Sequence, residues 1–187
     1  MQARSFGDVY GNSFAPNVGL FYEYQPFHSE WFGNFGILLN AEVAFFNGNG
    51  LFAEAPPNPI PGGQPFPEQS HTKFQFFAMP ITVALDYRFN LLRVVRPYVS
   101  IGPTAIGYFE LRNDDVAGHH GDAKAITMTG GASILLDWIS DDLRWDAYSQ
   151  NGIKHSYLNV QYTQYASIAS DVSFNVSGIG VGLMFEY

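Results

Sequence analysis

The amino-acid sequence predicts an all-β fold of antiparallel strands. Apolar and polar side chains alternate with a period of two along most of the 187 residues, which is the pattern of a strand with two different faces. Glycine, threonine, tyrosine, phenylalanine and valine dominate where the alternation is strongest, and long stretches with a helical period are missing. We therefore predict strands and almost no helix. The predicted strands are 18–26, 33–46, 74–89, 98–112, 124–138, 155–166 and 172–187.

The connections between these strands fall into two groups, because consecutive antiparallel strands bring alternate connections to the same end of a sheet. The longest connection, 47–73, holds six of the 11 prolines and predicts an extended, partly polyproline loop within a single domain, 1–187. A mobile surface loop and a binding site for a protein partner both fit this segment. One end would carry 27–32, 90–97 and 139–154, and the other 47–73, 113–123 and 167–171.

Composition excludes several classes of function. The net charge is −8 and the nine lysines and arginines are scattered, which argues against a nucleic-acid partner. The chain has no cysteine, so neither a disulfide framework nor a cysteine-bound metal is expected. No apolar stretch has the length of a membrane-spanning helix, and the first residues lack the apolar core of a signal peptide.

The two faces of the predicted strands differ in charge. One phase of the alternation is apolar and uncharged along each strand once the strand ends are left aside. The opposite phase is rich in glycine, alanine, threonine and serine, and it also holds most of the charges of the strands. These charged residues are Glu23, Glu42, Asp86, Arg88, Glu110, Arg112, Asp137 and Glu186.

This separation favours a barrel whose apolar side faces outward. A soluble barrel would turn the apolar face inward and cover its outer face with lysine and glutamate. Charged residues make up only 14% of this chain, against about 25% in a typical soluble protein. Apolar side chains that face lipid, around an interior of small polar side chains, fit the composition better. We therefore predict a transmembrane antiparallel up-and-down β-barrel.

Aromatic residues predict where the membrane interfaces lie, since tryptophan and tyrosine concentrate there. The tryptophans all fall at one predicted end of the strands and would form an interface girdle. They are Trp31, Trp138 and Trp145. A second girdle is predicted at the other end from Phe45, Phe46, Phe74, Phe109 and Tyr165.

The chain closes on VSGIGVGLMFEY, with a large apolar side chain at every second position and a final aromatic residue. With this ending and the barrel pattern, it resembles the small outer-membrane β-barrels of Gram-negative bacteria, the eight-stranded class that includes OmpA-type, OmpX-type and opacity-type proteins. The resemblance implies a location in the bacterial outer membrane, contact with its lipid and lipopolysaccharide, and recognition by the barrel-assembly machinery. It also implies a C-terminal insertion signal, carried by Ile179, Val181, Leu183, Phe185 and Tyr187.

Such barrels have an even number of strands, so the seven predicted strands require an eighth. Residues 2–10 are the candidate, with 11–17 as an outer loop, although their alternation is weak. We predict eight strands in total.

Charges inside an eight-stranded barrel are predicted to pair, because its interior only just accommodates side chains and an unpaired buried charge is costly. Arg88 and Arg112 are the cations available to the interior carboxylates. A packed polar plug is the favoured interpretation, and a gate for ions or small solutes is the alternative. The predicted lumen charge network comprises Glu23, Glu42, Asp86, Arg88, Glu110, Arg112 and Asp137.

Two motifs suggest chemistry that we do not favour. Imidazole and carboxylate groups in the 113–123 loop offer metal donors, but their spacing matches no defined site and a solvated acidic loop explains them. His155 and Ser156 are adjacent in a strand and point to opposite faces, so they cannot form a nucleophile and base pair. The loop donors are Asp114, Asp115, His119, His120 and Asp122.

The predicted function is therefore a structural, adhesive or scaffold role exerted through the outer loops. We predict no enzymatic activity, no catalytic residue, no metal and no cofactor. A narrow channel for small solutes is the main alternative, and a lipid-modifying enzyme is a third.

Overall fold

The computed structural model describes residues 16–29, 33–51, 69–90, 94–113, 118–169 and 175–187. These residues form seven β-strands and one short α-helix, which confirms the all-β prediction. In chain order, the elements are β1 (Asn17–Ser29), β2 (Gly33–Leu51), β3 (Gln69–Arg88), β4 (Val95–Arg112), β5 (His120–Leu135), α1 (Asp141–Asn151), β6 (His155–Ala169) and β7 (Val176–Glu186).

The seven strands form one antiparallel up-and-down sheet that curls into a half-barrel. Each strand pairs with the next along the chain, in the order β1 to β7. Within the described residues, β1 and β7 are the two edges of the sheet. Because the number of strands is odd, these two edge strands run in the same direction. The connections alternate between the two ends of the sheet as the sequence predicts.

Several strands are longer than predicted. Strand β2 runs to Leu51 and β3 begins at Gln69, so the predicted bounds of the 47–73 loop are wrong. Backbone pairing continues through Asn49 and Lys73, beyond the point where apolar and polar residues alternate. The alternation shows only where the two faces meet different surroundings, and hydrogen bonding between strands has no such requirement. The rest of the predicted loop lies outside the described residues.

The helix α1 was not predicted, since 139–154 was expected to be a plain connection. Its side chains from Arg144 onward are exposed or half-buried, so the helix needs no apolar stripe and leaves no 3.6-residue period in the sequence. It ends at Gly152, which has a φ of 71° and donates its N–H to the carbonyl of Tyr148 at 3.0 Å. That left-handed glycine is a common way to end a helix.

The two faces of the sheet carry the side chains that the alternation predicts. Large apolar side chains on the outer face are exposed, among them Val83 on β3, which is 50% exposed. Small polar side chains on the concave face are buried. The buried polar residues include Thr82, Ser100, Thr104, Thr127, Ser133, Asn159 and Thr163.

The concave face also has an apolar region, at the end of the sheet that carries the 52–68 connection. Phe46, predicted to lie in an interface girdle, is only 5% exposed and packs inside, so that prediction is wrong for it. Outside, Phe77 lies between Phe45 and Phe109, with ring centroids 4.8 and 4.6 Å away. The buried cluster comprises Phe46, Phe76, Ala78, Ile106, Ala123 and Ala125.

Candidate functional site in the interior of the half-barrel

Arg88, at the last position of β3, is the centre of a buried charge cluster. Its Nε lies 2.8 and 2.9 Å from the two carboxylate oxygens of Glu23 on β1, and its Nη2 also donates to Glu23. The opposite corner of the guanidinium, Nη1, donates to the hydroxyl of Ser133 on β5 at 2.7 Å. The planar fork of arginine therefore joins two strands that are not neighbours of β3.

Tyr98 covers the guanidinium from β4. It stands opposite Arg88 in the strand register, and its ring centroid lies 4.5 Å from the Arg88 Cζ, which is cation–π geometry. Space for this ring comes from Gly131, where an added Cβ would lie 2.7 Å from the Tyr98 ring. The sequence placed Tyr98 at the very start of a strand and gave no sign of this packing.

A chain of hydrogen bonds continues from the cluster across the interior. Ser133 donates to Asn159 at 3.1 Å, and Asn159 donates to the Tyr98 hydroxyl at 2.9 Å. The Tyr98 hydroxyl donates in turn to Gln161 at 2.8 Å. These side chains come from β4, β5 and β6, so the polar network connects most of the curled sheet through its interior.

Asp86 is the least satisfied member of the cluster. Its side chain is 1% exposed, and one of its oxygens lies 3.5 Å from the Arg88 Nε. Neither oxygen accepts a hydrogen bond from any described residue. The structure thus brings three members of the predicted network together, with Glu23 and Asp86 both in contact with Arg88.

Glu42 belongs to a separate cluster toward the other end of the sheet. Its carboxylate accepts hydrogen bonds from Asn17 and Asn40, both at 2.7 Å, and from the hydroxyl of Tyr165 at 3.0 Å. Tyr165 was predicted to lie in an outer girdle, and this inward hydrogen bond shows that prediction to be wrong. Asn17, Asn40 and Tyr165 thus take the place of the arginine that was predicted to pair with Glu42.

Asp137 lies at the end of the sheet, away from the arginines with which it was grouped. Its two oxygens accept from the backbone N–H of Ser156 at 3.0 Å and contact the Nδ1 of His155 at 2.6 Å. The structure thus pairs Asp137 with His155 and Ser156 rather than with an arginine of the predicted network. Its place after the last residue of β5 puts it at the turn into α1, where it fixes the start of β6.

Sequence reasoning missed one ion pair. Arg96 donates to Glu186 at 3.0 Å, and the Tyr157 hydroxyl donates to the same oxygen at 2.9 Å. Arg96 was assigned to the predicted connection 90–97, but β4 already begins at Val95. The available signal was the position of Glu186 in the phase of the strands that holds the charges.

The remaining predicted residues lie apart from these clusters. Glu110 and Arg112 are near the end of β4, in register with Phe76 and Phe74. Trp138 and Trp145 are largely exposed at the end that carries α1, and Trp31 lies outside the described residues. All side chains of the predicted insertion signal are exposed on the outer face of β7, and they are Ile179, Val181, Leu183, Phe185 and Tyr187.

The described residues around Arg88 line a small cavity. Its volume is about 20 Å³, between Arg88, Tyr98 and Gln161, which is room for about one water molecule. No group of three or more His, Asp or Glu side chains in the described parts of the chain is placed to hold a metal ion. The His119 and His120 side chains are exposed, and Asp114 and Asp115 lie outside the described residues.

Comparison with known proteins adds no family to this picture. No model of a known protein family matches the chain, and no curated protein matches it. Within the described residues, no helix is long and apolar enough to cross a membrane.

Proposed function

We propose that this chain is an integral outer-membrane β-barrel with a structural, adhesive or scaffold role exerted through its outer loops. The observation that carries the proposal is the outer face of the sheet. Among the described strand residues, its charged side chains are Lys73, Asp122 and Lys124. Each lies within the first five residues of its strand, at the end that carries the 52–68 and 113–119 connections. Between the two ends the outer face is a continuous apolar band.

The height of this band fits a membrane. On β3 the apolar outer positions run from Phe77 to Tyr87, ten residues apart. At about 3.3 Å per residue this length is about 33 Å, which becomes about 25 Å along the membrane normal for a strand tilted by about 40°. About 25 Å is the usual height of the apolar band of outer-membrane barrels.

The exposed aromatic residues support a membrane interface at the end of the sheet that carries α1. Trp138 is 72% exposed next to the end of β5, and Trp145 and Tyr148 are exposed on α1 with ring centroids 6.3 Å apart. Amphipathic rings of this kind are favoured at the boundary between lipid and water. This end would then face the periplasm, and the 52–68, 113–119 and 170–174 connections would face outward.

The strand count supports an eighth strand from the same chain. Direct pairing of β7 with β1 would be parallel, because the two strands run in the same direction. One strand antiparallel to both would close the barrel with the ordinary pattern of an up-and-down sheet. Residues 2–10, which lie outside the described residues, are our candidate.

The packed interior favours a structural role over conduction. Arg88, Glu23 and Tyr98 occupy the lumen at one level, with a free volume of only about 20 Å³ beside them. At the other end the cluster around Phe46 and Phe76 fills the concave face. A water-filled path for solutes would require both levels to open.

Two measurements test this proposal. After expression in a Gram-negative host with a secretion signal, the protein should remain in the outer-membrane fraction after washing with carbonate and urea, and its gel mobility should change on heating. Recovery in the soluble fraction as a folded, detergent-free monomer would overturn the membrane assignment. Purified protein in planar bilayers should conduct no measurable current, and a steady single-channel current that changes in Arg88→Ala would instead establish the channel alternative.

A further inference from the structure

Among the residues that the structure describes, the interior charge cluster contains more acid than base. Two carboxyl groups, Glu23 and Asp86, face a single guanidinium, Arg88, and all three side chains are at least nine-tenths buried. If both acids were ionised, the cluster would carry a net charge of −1 in a region shielded from water. Burying an uncompensated charge is costly, and proteins usually avoid it by neutralising the group or by pairing it.

Glu23 uses the available donors of the arginine. It accepts hydrogen bonds from Nε and Nη2, while Nη1 is directed to Ser133. Asp86 keeps only a 3.5 Å ionic contact to Nε. Both Asp86 oxygens are buried and accept no hydrogen bond within the described residues. Within the described parts of the chain, Asp86 therefore lacks the donors that an ionised carboxylate needs.

The carboxyl groups of Asp86 and Glu23 both approach the Nε of Arg88, at 3.5 Å for Asp86 and at 2.8 and 2.9 Å for the two Glu23 oxygens. Two ionised carboxylates beside one nitrogen repel each other. If Asp86 holds a proton, this repulsion is removed and the three described residues together become electrically neutral. Among the described residues, the other charged or titratable groups that face Asp86 are Arg88 and Tyr98. Neither of them donates a hydrogen bond to Asp86.

We propose that Asp86, beside Glu23 and Arg88, is a buried proton-binding site in which the Asp86 carboxyl group holds the proton. The ligand is a proton rather than a metal ion, because no group of three metal-binding side chains exists among the described residues. This inference does not depend on the membrane assignment, since it concerns only the interior contacts.

The site links folding to pH with a definite sign. At neutral pH the folded protein would bind one proton more than the unfolded chain, in which both acids are ionised. Stability therefore decreases as pH rises, until the Asp86 proton is lost. Loss of that proton would place a net negative charge beside Arg88 in the interior.

Infrared spectroscopy of the folded full-length protein tests the proposal directly. At neutral pH the wild type should show the carbonyl band of a protonated carboxylic acid, and Asp86→Asn should lack this band. Asp137→Asn is the matched control and should keep it, because Asp137 accepts from His155 and Ser156 as an ordinary carboxylate does. A wild-type spectrum without a protonated-acid band would overturn the proposal.

Unfolding measurements distinguish a protonated Asp86 from a second explanation, in which an arginine outside the described residues neutralises it. Arg4 and Arg93 are the two of the nine lysines and arginines that lie outside the described residues, and they are the competing partners for Asp86. With a protonated Asp86, the variants Asp86→Asn, Arg4→Gln and Arg93→Gln should all keep the wild-type denaturant midpoint, since asparagine is uncharged like the protonated acid. A large drop in Asp86→Asn and in one arginine variant that is not additive in the double variant would assign the charge balance to that arginine and contradict the proposal.

Discussion

The hydroxyl of Tyr165 on β6 donates a hydrogen bond of 3.0 Å to the Oε2 of Glu42 on β2, although three strands of the sheet lie between them. Two side chains this far apart in strand order meet only if the sheet curls strongly about its concave face. The same is true of Arg88 and Ser133, which meet from β3 and β5. Polar contacts across the interior thus accompany the curvature that makes a half-barrel.

The first prediction concerns that hydrogen bond. Tyr165→Phe should lower the free energy of unfolding by about 1–2 kcal/mol, because it removes one donor from a buried carboxylate that keeps the donors of Asn17 and Asn40. Denaturant unfolding followed by tryptophan fluorescence measures the change. The control is Tyr162→Phe, since Tyr162 is exposed on the outer face, and equal losses in both variants would contradict the assigned role.

Replacing Arg88 should have the largest effect on stability. Arg88→Met leaves Glu23 and Asp86 buried without their cation, and breaking a buried pair in this way typically costs about 3–5 kcal/mol. Arg96→Met is the matched control, because Arg96 and its partner Glu186 are partly exposed. The same unfolding assay should show a much smaller loss for Arg96→Met. Equal losses in the two variants would show that the interior cluster contributes no more to stability than the partly exposed pair does.

Close backbone packing gives a third prediction. An added Cβ at Gly102 would lie 2.0 Å from the carbonyl oxygen of Val83 and 2.5 Å from the Cα of Ala84. Gly102→Ala should therefore force β3 and β4 apart and destabilise the protein by about 1–3 kcal/mol. At Gly107 an added Cβ meets no atom of the described chain within 4 Å, so Gly107→Ala should be tolerated. Thermal unfolding of both variants makes the comparison, and a stable Gly102→Ala variant would count against this packing.

A charged residue introduced on the outer face tests whether that face contacts lipid or water. Val83→Arg should cost about 2–4 kcal/mol in lipid vesicles, because Val83 lies near the middle of the apolar band. Leu111→Arg is equally exposed but lies next to the end of β4, so its cost should be about 0–1 kcal/mol. Equal and small effects at both positions would indicate an outer face in contact with water.

The sequence allowed the strands and their faces to be predicted, because side chains alternate strictly between the two sides of a strand. It also identified Glu23, Asp86 and Arg88 as interior charges, since they are charged residues in the polar phase of β1 and β3. Alternation cannot reveal how far the sheet curls. It therefore gave no means to see that Arg88 reaches Ser133, or that Tyr165 reaches Glu42.

Other features were missed for reasons other than curvature. Phe46 belongs to the inward phase, but its aromatic ring suggested an interface position, and only the structure shows it packed with Phe76. The helix α1 has mostly exposed side chains and hence no apolar stripe. Arg96 lies in the predicted connection 90–97 and precedes Pro97, a residue that usually marks the start or edge of a strand.

The most direct test of the membrane assignment is a spin-label scan along β3. The chain has no cysteine, so single cysteines can be introduced at each position from 77 to 87 and labelled with a nitroxide. In lipid vesicles, labels at the outer positions, such as 79, 81 and 83, should be accessible to oxygen and shielded from a water-soluble nickel chelate, with the strongest shielding near 81–83. Labels at the alternate positions should be poorly accessible to oxygen. Outer positions that are all accessible to the nickel chelate would contradict the account.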